Sequence, residues 1–253
     1  QQRQLLNDGL ADLSRLAAAG ELDDVELTGA GFSVTPHKAM FPDIAKSLKL
    51  KVESRLPAIR ITDLLLEVDA RTEFSNAFTH LRSGRTADNK LALLTAILAD
   101  GINLGLTRMA DVSPGITMRQ LAWAHDWHIR EEGYTAAHAI LVNAQRQLPL
   151  ASLWGDGTTS SSDGQYFPAG GHAKAIGDLN ARYGPNPGAK FYRFTSDQYG
   201  AFYIIAMNAN ASEAIYVLDG LLYHGSDLAI ETHYVDTGGV SDMSFALCHL
   251  VSF

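Results

Sequence analysis

The order of the elements predicted after Pro149 is the feature that most restricts how this chain folds. Three β-prone stretches come first, then a helical stretch, a further strand that ends in glycines and a final helix: residues 158–167, 189–197, 201–209, 212–224, 231–239 and 241–253. An RNase H-like fold begins in this order, with three antiparallel strands, a crossover helix and a fourth strand parallel to the first. The sequence therefore predicts the start of such a fold.

The sequence before Pro149 is dominated by helical patterns. Apolar residues recur at helical spacing between Asn89 and Met109, and further helices are predicted over 113–127, with Pro114 near the first turn, and over 134–148. We predict a mixed α/β chain of two parts. Residues 1–149 form a mainly helical region, and residues 150–253 form the N-terminal part of an RNase H-like domain that is truncated at Phe253.

Charge and composition narrow the classes of protein. The net charge is −8, and the only basic residues from position 150 onward are Lys174, Arg182, Lys190 and Arg193, against ten acidic ones. This balance argues mildly against nucleic acid as a partner of this region on its own. The sequence has one cysteine and no apolar run of membrane-spanning length, so we expect a soluble cytoplasmic protein with no membrane contact.

Three aspartates are candidates for a metal site. Asp236 ends the predicted fourth strand, and Asp163 lies inside the predicted first strand, its neighbour in an RNase H-like sheet. Asp156 is flanked by Gly155 and Gly157, as in a turn, and is the second choice for the first position. Two adjacent carboxylates repel each other unless a cation lies between them, and oxygen ligands favour Mg²⁺ or Mn²⁺. The alternative is that both Asp-Gly pairs are ordinary turn or surface residues.

Several longer segments resemble a known family. WGDGTTSSSDGQ, NARYG, YRFTSDQY, VLDGLLYH and HYVDTGG are similar to the transposase of the Tn-three family of replicative bacterial transposons, as are WAHDWHIREE and ITDLLLEVD upstream. The resemblance implies a DDE enzyme with an RNase H-like core that cleaves DNA at transposon ends and joins it to target DNA with Mg²⁺ or Mn²⁺. It assigns the first two catalytic, metal-binding carboxylates to Asp163 and Asp236, 73 residues apart (163 to 236).

The resemblance also implies parts that this sequence does not show. The family's third acidic residue is a Glu on a helix well downstream of the second Asp, beyond Phe253, and Glu231 is too close to Asp236 to replace it. The expected partners are transposon terminal inverted repeats and target DNA, with a homodimer in the parent protein. We expect the fragment to be inactive alone. The alternatives are a stand-alone RNase H-like metal-dependent nuclease and a non-catalytic remnant that acts as an interaction module.

Other residues allow two interpretations. Arg182, Lys190 and Arg193 flank the second predicted strand and either contact DNA phosphates or are solvated charges at a strand edge. His125 and His128 have the spacing of a zinc pair on a helix, but no third ligand is near in sequence, which favours ordinary core or surface histidines.

Overall fold

The computed structural model describes residues 2–22, 25–28, 31–34, 42–168, 178–236 and 238–251, which fall into two compact units. The first unit comprises residues 1–58 and the second residues 59–253. No helix in these ranges is both long and apolar enough to cross a membrane. The predicted division into residues 1–149 and 150–253 stays a prediction.

The first unit contains two helices and a hairpin. Helix α1 spans Gln2–Ala19, strands β1 (Val25–Thr28) and β2 (Gly31–Val34) pair antiparallel, and helix α2 spans Asp43–Glu53. Pro42 directly precedes α2. The hairpin is absent from our prediction because its strands have only four residues each and show no extended alternation.

The second unit begins with five helices around an apolar core. They are α3 (Ile61–Thr72), α4 (Lys90–Gly101), α5 (Leu106–Val112), α6 (Met118–His128) and α7 (Glu131–Arg146). Buried side chains of these helices, of the 3-10 turn Phe74–Ala77 and of the residue after it form one cluster: Phe74, Phe78, Leu93, Leu94, Ala96, Ala99, Met109, Leu121, Ala124 and Ala137.

Helix α6 begins later than predicted. Thr117 caps it: the Thr117 hydroxyl accepts from the Gln120 amide at 3.3 Å, and the Gln120 side chain accepts from the Thr117 amide at 2.8 Å. This reciprocal pair satisfies two amides at the helix start. Pro114 therefore lies in the loop before α6, and its predicted place near the first turn is wrong.

A four-stranded mixed sheet follows. It contains β3 (Thr159–Pro168), β4 (Gly188–Ser196), β5 (Ala201–Met207) and β6 (Thr232–Val235) in the order β5-β4-β3-β6. The first three are antiparallel, and β6 returns parallel to β3 after helix α8 (Val217–Leu222). Helix α9 (Asp242–Leu250) comes last. The predicted order of strands and helices is confirmed, and the mixed sheet is consistent with an RNase H-like domain; the predicted truncation stays a prediction.

One face of the sheet packs tightly against α8. Tyr192, Phe194 and Phe202 are almost fully buried on this face, together with Val217 of α8. Gly220 lets the helix approach: a Cβ at this position would overlap the Phe194 ring. This close packing fixes the segment between β5 and β6, and with it the point at which β6 returns to β3.

A buried polar chain joins β6 to β3. The His233 ring lies between two serines, with Ser160 Oγ at 2.7 Å from Nδ1 and Ser162 Oγ at 2.8 Å from Nε2. Ser162 Oγ also lies 2.6 Å from the Tyr192 hydroxyl, and the His233 ring stacks on Phe194 with centroids 5.4 Å apart. Burial lowers the pKa of His233 to about 4. The neutral imidazole thus holds β6 in register through hydrogen bonds on both nitrogens.

We predict that this histidine makes the fold acid-sensitive. In the unfolded chain this histidine binds a proton below a pKa of about 6.5, whereas in the native protein it binds one only near pH 4. The stability that is present above about pH 6.5 is therefore lost as the pH falls. The expected loss from this residue at about pH 5 is about 2 kcal/mol. Urea unfolding at neutral and acidic pH measures it.

His233→Gln should be less stable at neutral pH and should show a shallower dependence on pH than the wild type. Some dependence remains in the variant, because burial also lowers the pKa of His138 and of His224. An unchanged pH dependence in His233→Gln would contradict the prediction.

Candidate functional site

Parallel pairing brings two aspartates together at the end of β6. The last paired residues are Ser162 of β3 and Val235 of β6, so Asp163 and Asp236 follow at equivalent positions along the two strands. Carboxylate oxygens of these aspartates and of Glu213 all lie within 4.8 Å of one another. The structure therefore places the two predicted residues in one cluster and adds a third carboxylate to it.

Backbone amides orient both aspartates. Asp236 Oδ1 accepts from the amide of Gly238 at 2.9 Å and from that of Gly239 at 3.2 Å. Asp163 Oδ1 accepts from the amide of Gly164 at 2.8 Å. One oxygen of each carboxylate is thus occupied by the backbone, which limits the rotation of the side chain and leaves the other oxygen for a ligand.

Glu213 is the site residue that the sequence did not reveal. It begins a single 3-10 turn, Glu213–Ile215, which Ser212 caps by accepting from the Ala214 amide. Its side chain is buried although it carries a charge. A third acidic residue was expected from the sequence only beyond Phe253, which stays a prediction, whereas Glu213 is a third carboxylate from within this chain. Serine followed by glutamate was the available signal, and it also fits an ordinary helix start.

A buried lysine holds Glu213 in place. Lys190 Nζ lies 3.0 Å from Glu213 Oε1 and donates to the Ala211 carbonyl at 3.3 Å, and both side chains of the ion pair are about nine-tenths buried. Gly164 on β3 makes room for this pair, since a Cβ there would overlap the Glu213 carboxylate. Removing one partner of a buried ion pair costs about 3–5 kcal/mol because the other charge is left buried without compensation, so Glu213 and Lys190 depend on each other.

The cluster concentrates negative charge next to the buried face of the sheet. The pKa of Tyr192 is raised to about 12: burial is the largest cause, the hydrogen bond to Ser162 lowers it, and the charges of Glu213, Asp236 and Asp163 add to the rise. The phenol therefore stays neutral. Lys190 compensates one of the three negative charges, which leaves a site that favours a cation.

The donor set fits a divalent metal. Mg²⁺ binds oxygen ligands at about 2.1 Å, so oxygens on opposite sides of the ion are about 4.2 Å apart. The three carboxylates come within 4.8 Å without any rearrangement, and small side-chain rotations would close the difference. The residues that could hold such an ion are Asp163, Asp236 and Glu213, the last through the oxygen that does not face Lys190.

Asp156 takes no part in the cluster. Its Oδ1 accepts from the amide of Thr158 at 3.0 Å and from the Thr158 hydroxyl at 2.6 Å, and these hydrogen bonds lower the pKa of this exposed carboxyl. Gly157 follows with a φ of 84°. Asp156 thus belongs to a turn before β3, as the pattern Gly-Asp-Gly suggested.

The three basic residues near β4 have different environments. Lys190 is buried in its ion pair, and Arg193 is exposed on the face of β4 opposite to buried Tyr192 and Phe194. Arg182 lines a cleft of about 570 Å³ together with the three carboxylates. Only Arg182 of the three is both exposed and in the same cleft as the metal site.

The helical histidines show no metal geometry. His128 is buried and its Nδ1 lies 3.0 Å from the Phe78 carbonyl, whereas His125 Nε2 lies 3.6 Å from Asp100. Among the residues that the structure describes, the carboxylate cluster is the one group with the geometry to hold a metal.

Known proteins match almost the whole chain. The family model of the Tn3 transposase DDE domain covers residues 63–253. The chain is 52% identical over 250 residues to the transposase for transposon Tn501 of Pseudomonas aeruginosa, a match that covers 99% of this chain and 25% of that protein. It is 51% identical to the transposase for transposon Tn21 of Escherichia coli, with 98% and 25% covered.

A more distant relative gives the same result. The transposase for transposon Tn1546 of Enterococcus faecium is 41% identical over 239 residues, which cover 94% of this chain and 24% of that protein. The chain thus spans about a quarter of the length of these relatives. The resemblance found in the sequence is confirmed: this chain belongs to the family of Tn3 transposase DDE domains.

Proposed function

We propose that this chain carries part of the catalytic site of a DNA transposase, in which Asp163 and Asp236 bind Mg²⁺ or Mn²⁺. The reaction is cleavage of DNA strands at transposon ends and transfer of the freed ends to target DNA. The observation that carries the proposal is the convergence of the two aspartates at the end of β6, in a chain that belongs to a DDE transposase family.

Each residue of the cluster has a part that its contacts define. Asp163 and Asp236 present one carboxylate oxygen each, while backbone amides hold the other oxygen. A bound divalent metal supplies activation of a water or hydroxyl nucleophile and stabilisation of the leaving oxygen in phosphodiester cleavage. Glu213 is held by Lys190, so it adds negative charge to the site at a fixed position.

The stand-alone nuclease is the second candidate, and one observation favours it. Glu213 lies close to both aspartates, so the described residues contain the three carboxylates that such an enzyme requires. The ion pair weighs against this function, because Lys190 competes with a metal for Glu213 Oε1. We therefore place the transposase first.

We predict that metal binding depends on the two aspartates. Asp236→Asn removes one anionic ligand while keeping the size of the side chain. Loss of a residue that only supports a metal ligand costs roughly 10- to 100-fold in affinity, so loss of the ligand itself should lower the affinity for Mg²⁺ or Mn²⁺ at least as much. Calorimetry of the wild type and the variant measures the change. Asp156→Asn is the matched control, since Asp156 lies in a separate turn, and it should bind the metal as the wild type does.

Binding should also be weak in the wild type, because two aspartates and one lysine-paired glutamate leave most of the coordination of Mg²⁺ to water. Tight binding that survives Asp236→Asn would place the metal elsewhere and contradict the proposal.

We predict that residues 1–253 alone neither nick DNA nor join strands with either metal. The ions must be fixed closely for phosphoryl transfer, and a glutamate shared with a lysine holds them loosely. A protein of the relatives' full length should carry out both reactions and lose them in Asp163→Ala and in Asp236→Ala. Supercoiled plasmid DNA, analysed on agarose gels, measures nicking and joining.

The same assay separates the two candidate functions. Metal-dependent cleavage by residues 1–253 that is lost in Asp236→Ala and in Glu213→Gln would establish the nuclease instead.

A further inference from the structure

We propose that Arg182 and Tyr183 form a DNA-strand subsite beside the carboxylate cluster, in which Tyr183 stacks on an unpaired base and Arg182 binds an adjoining phosphate. This inference rests on the proposed function, which makes DNA the substrate of the cleft. Both residues line the cleft that contains Asp163, Glu213 and Asp236. A strand whose phosphate reaches the carboxylates would therefore pass them.

Tyr183 belongs to a stacked aromatic pair. Its ring lies parallel to that of Tyr166 on β3, with centroids 4.6 Å apart and an interplanar angle of 8°, and Tyr183 remains 41% exposed. The Tyr166 hydroxyl donates to the Asn186 carbonyl at 2.7 Å, and Tyr166 packs so closely over Gly188 that a Cβ there would overlap it. The inner ring is thus anchored, and the outer ring extends the stack into the cleft.

The segment that presents these residues is held at several points. Asn180 donates to the Ala209 carbonyl at 2.7 Å, and its own side-chain oxygen accepts from the Arg182 amide at 3.0 Å. The Tyr183 amide donates to the Asn180 carbonyl at 2.9 Å, and Gly184 follows with a φ of 117° that favours glycine. A turn fixed in this way presents both side chains with little loss of freedom on binding.

Arg182 is the available cation of the cleft. It forms no ion pair with any carboxylate in the described parts of the chain, and its guanidinium carbon lies over the Tyr183 ring, 5.8 Å from the ring centre. In the proposed subsite the base takes this place over the ring, and the guanidinium turns to the adjoining phosphate. Lys190, the other cation that lines the cleft, is neutralised by Glu213. A phosphate that approaches three carboxylates needs a positive group besides a metal, and an arginine next to an aromatic ring is suited to a nucleotide.

Stacking on Tyr183 selects an unpaired base. In a duplex the faces of the bases are covered by their neighbours, so a protein ring can stack only on a base that is at an end, frayed or single-stranded. The subsite therefore fits a strand that is opened near the phosphate to be cleaved.

Fluorescence titration of the 253-residue chain with a short single strand containing 2-aminopurine tests the subsite, because stacking quenches this base. Tyr183→Ala should weaken binding roughly 5- to 100-fold and abolish the quenching, whereas Tyr183→Phe should retain both. Arg182→Gln should lower the slope of log affinity against log salt by about 0.7. Arg193→Gln is the matched control, an exposed arginine outside the cleft, and should leave the slope unchanged.

Photo-cross-linking gives a second readout that does not need high affinity. A strand with 5-iodouracil should cross-link to the wild type at Tyr183, identified by mass spectrometry of the peptide. A blunt duplex of the same sequence should cross-link much less.

The titrations are repeated with EDTA in an Asp236→Asn background, where no metal joins protein to DNA. The comparison of the two Tyr183 variants and that of Arg182→Gln with Arg193→Gln then hold even if the metal proposal fails. The subsite is overturned if the wild type neither binds the strand nor cross-links at Tyr183, or if Tyr183→Ala binds as the wild type does. It is also overturned if Tyr183→Phe loses as much as Tyr183→Ala, or if Arg193→Gln lowers the salt slope as much as Arg182→Gln.

Discussion

Parallel pairing of β6 with β3 is the interaction on which the site depends. The two strands share only four residue pairs, and the next residue of each strand is an aspartate of the cluster. So short a ladder needs support from side chains, and His233 gives it by bridging Ser160 and Ser162. A slip by one residue would turn the His233 side chain to the other face and separate the aspartates. The register of β3 and β6 therefore determines the geometry of the two aspartates.

Glu213 adds a third negative charge to the two aspartates, and Lys190 compensates it. Three carboxylates so close together would repel one another, and the buried ion pair reduces the excess negative charge by one. The same ion pair removes one oxygen of Glu213 from the donors that a metal can use. Lys190 thus lowers the repulsion within the cluster and occupies one of its carboxylate oxygens.

The features of the fold that depend on local spacing along the chain could be predicted from the sequence. The strand order, Asp236 at the end of its strand and the turn at Asp156 follow from alternation, glycines and element order. Glu213 could not be found in this way, because it joins the site through the close approach of a short turn to Gly164. The different environments of Lys190, Arg182 and Arg193 depend on which face of β4 and which loop each occupies, and composition contains no such information.

The two Asp-Gly pairs at 156–157 and 163–164 show how one dipeptide can serve two physical purposes. Gly157 has a positive φ, so its glycine permits a turn, and the preceding aspartate satisfies the amide of Thr158. Gly164 has ordinary strand geometry, and its missing side chain instead leaves space for the Glu213 carboxylate. Gly157 is therefore required by its backbone conformation, and Gly164 by the close approach of Glu213, which is distant in sequence. The pairing register thus places Asp163 beside Asp236, and the glycine after Asp163 lets Glu213 join them.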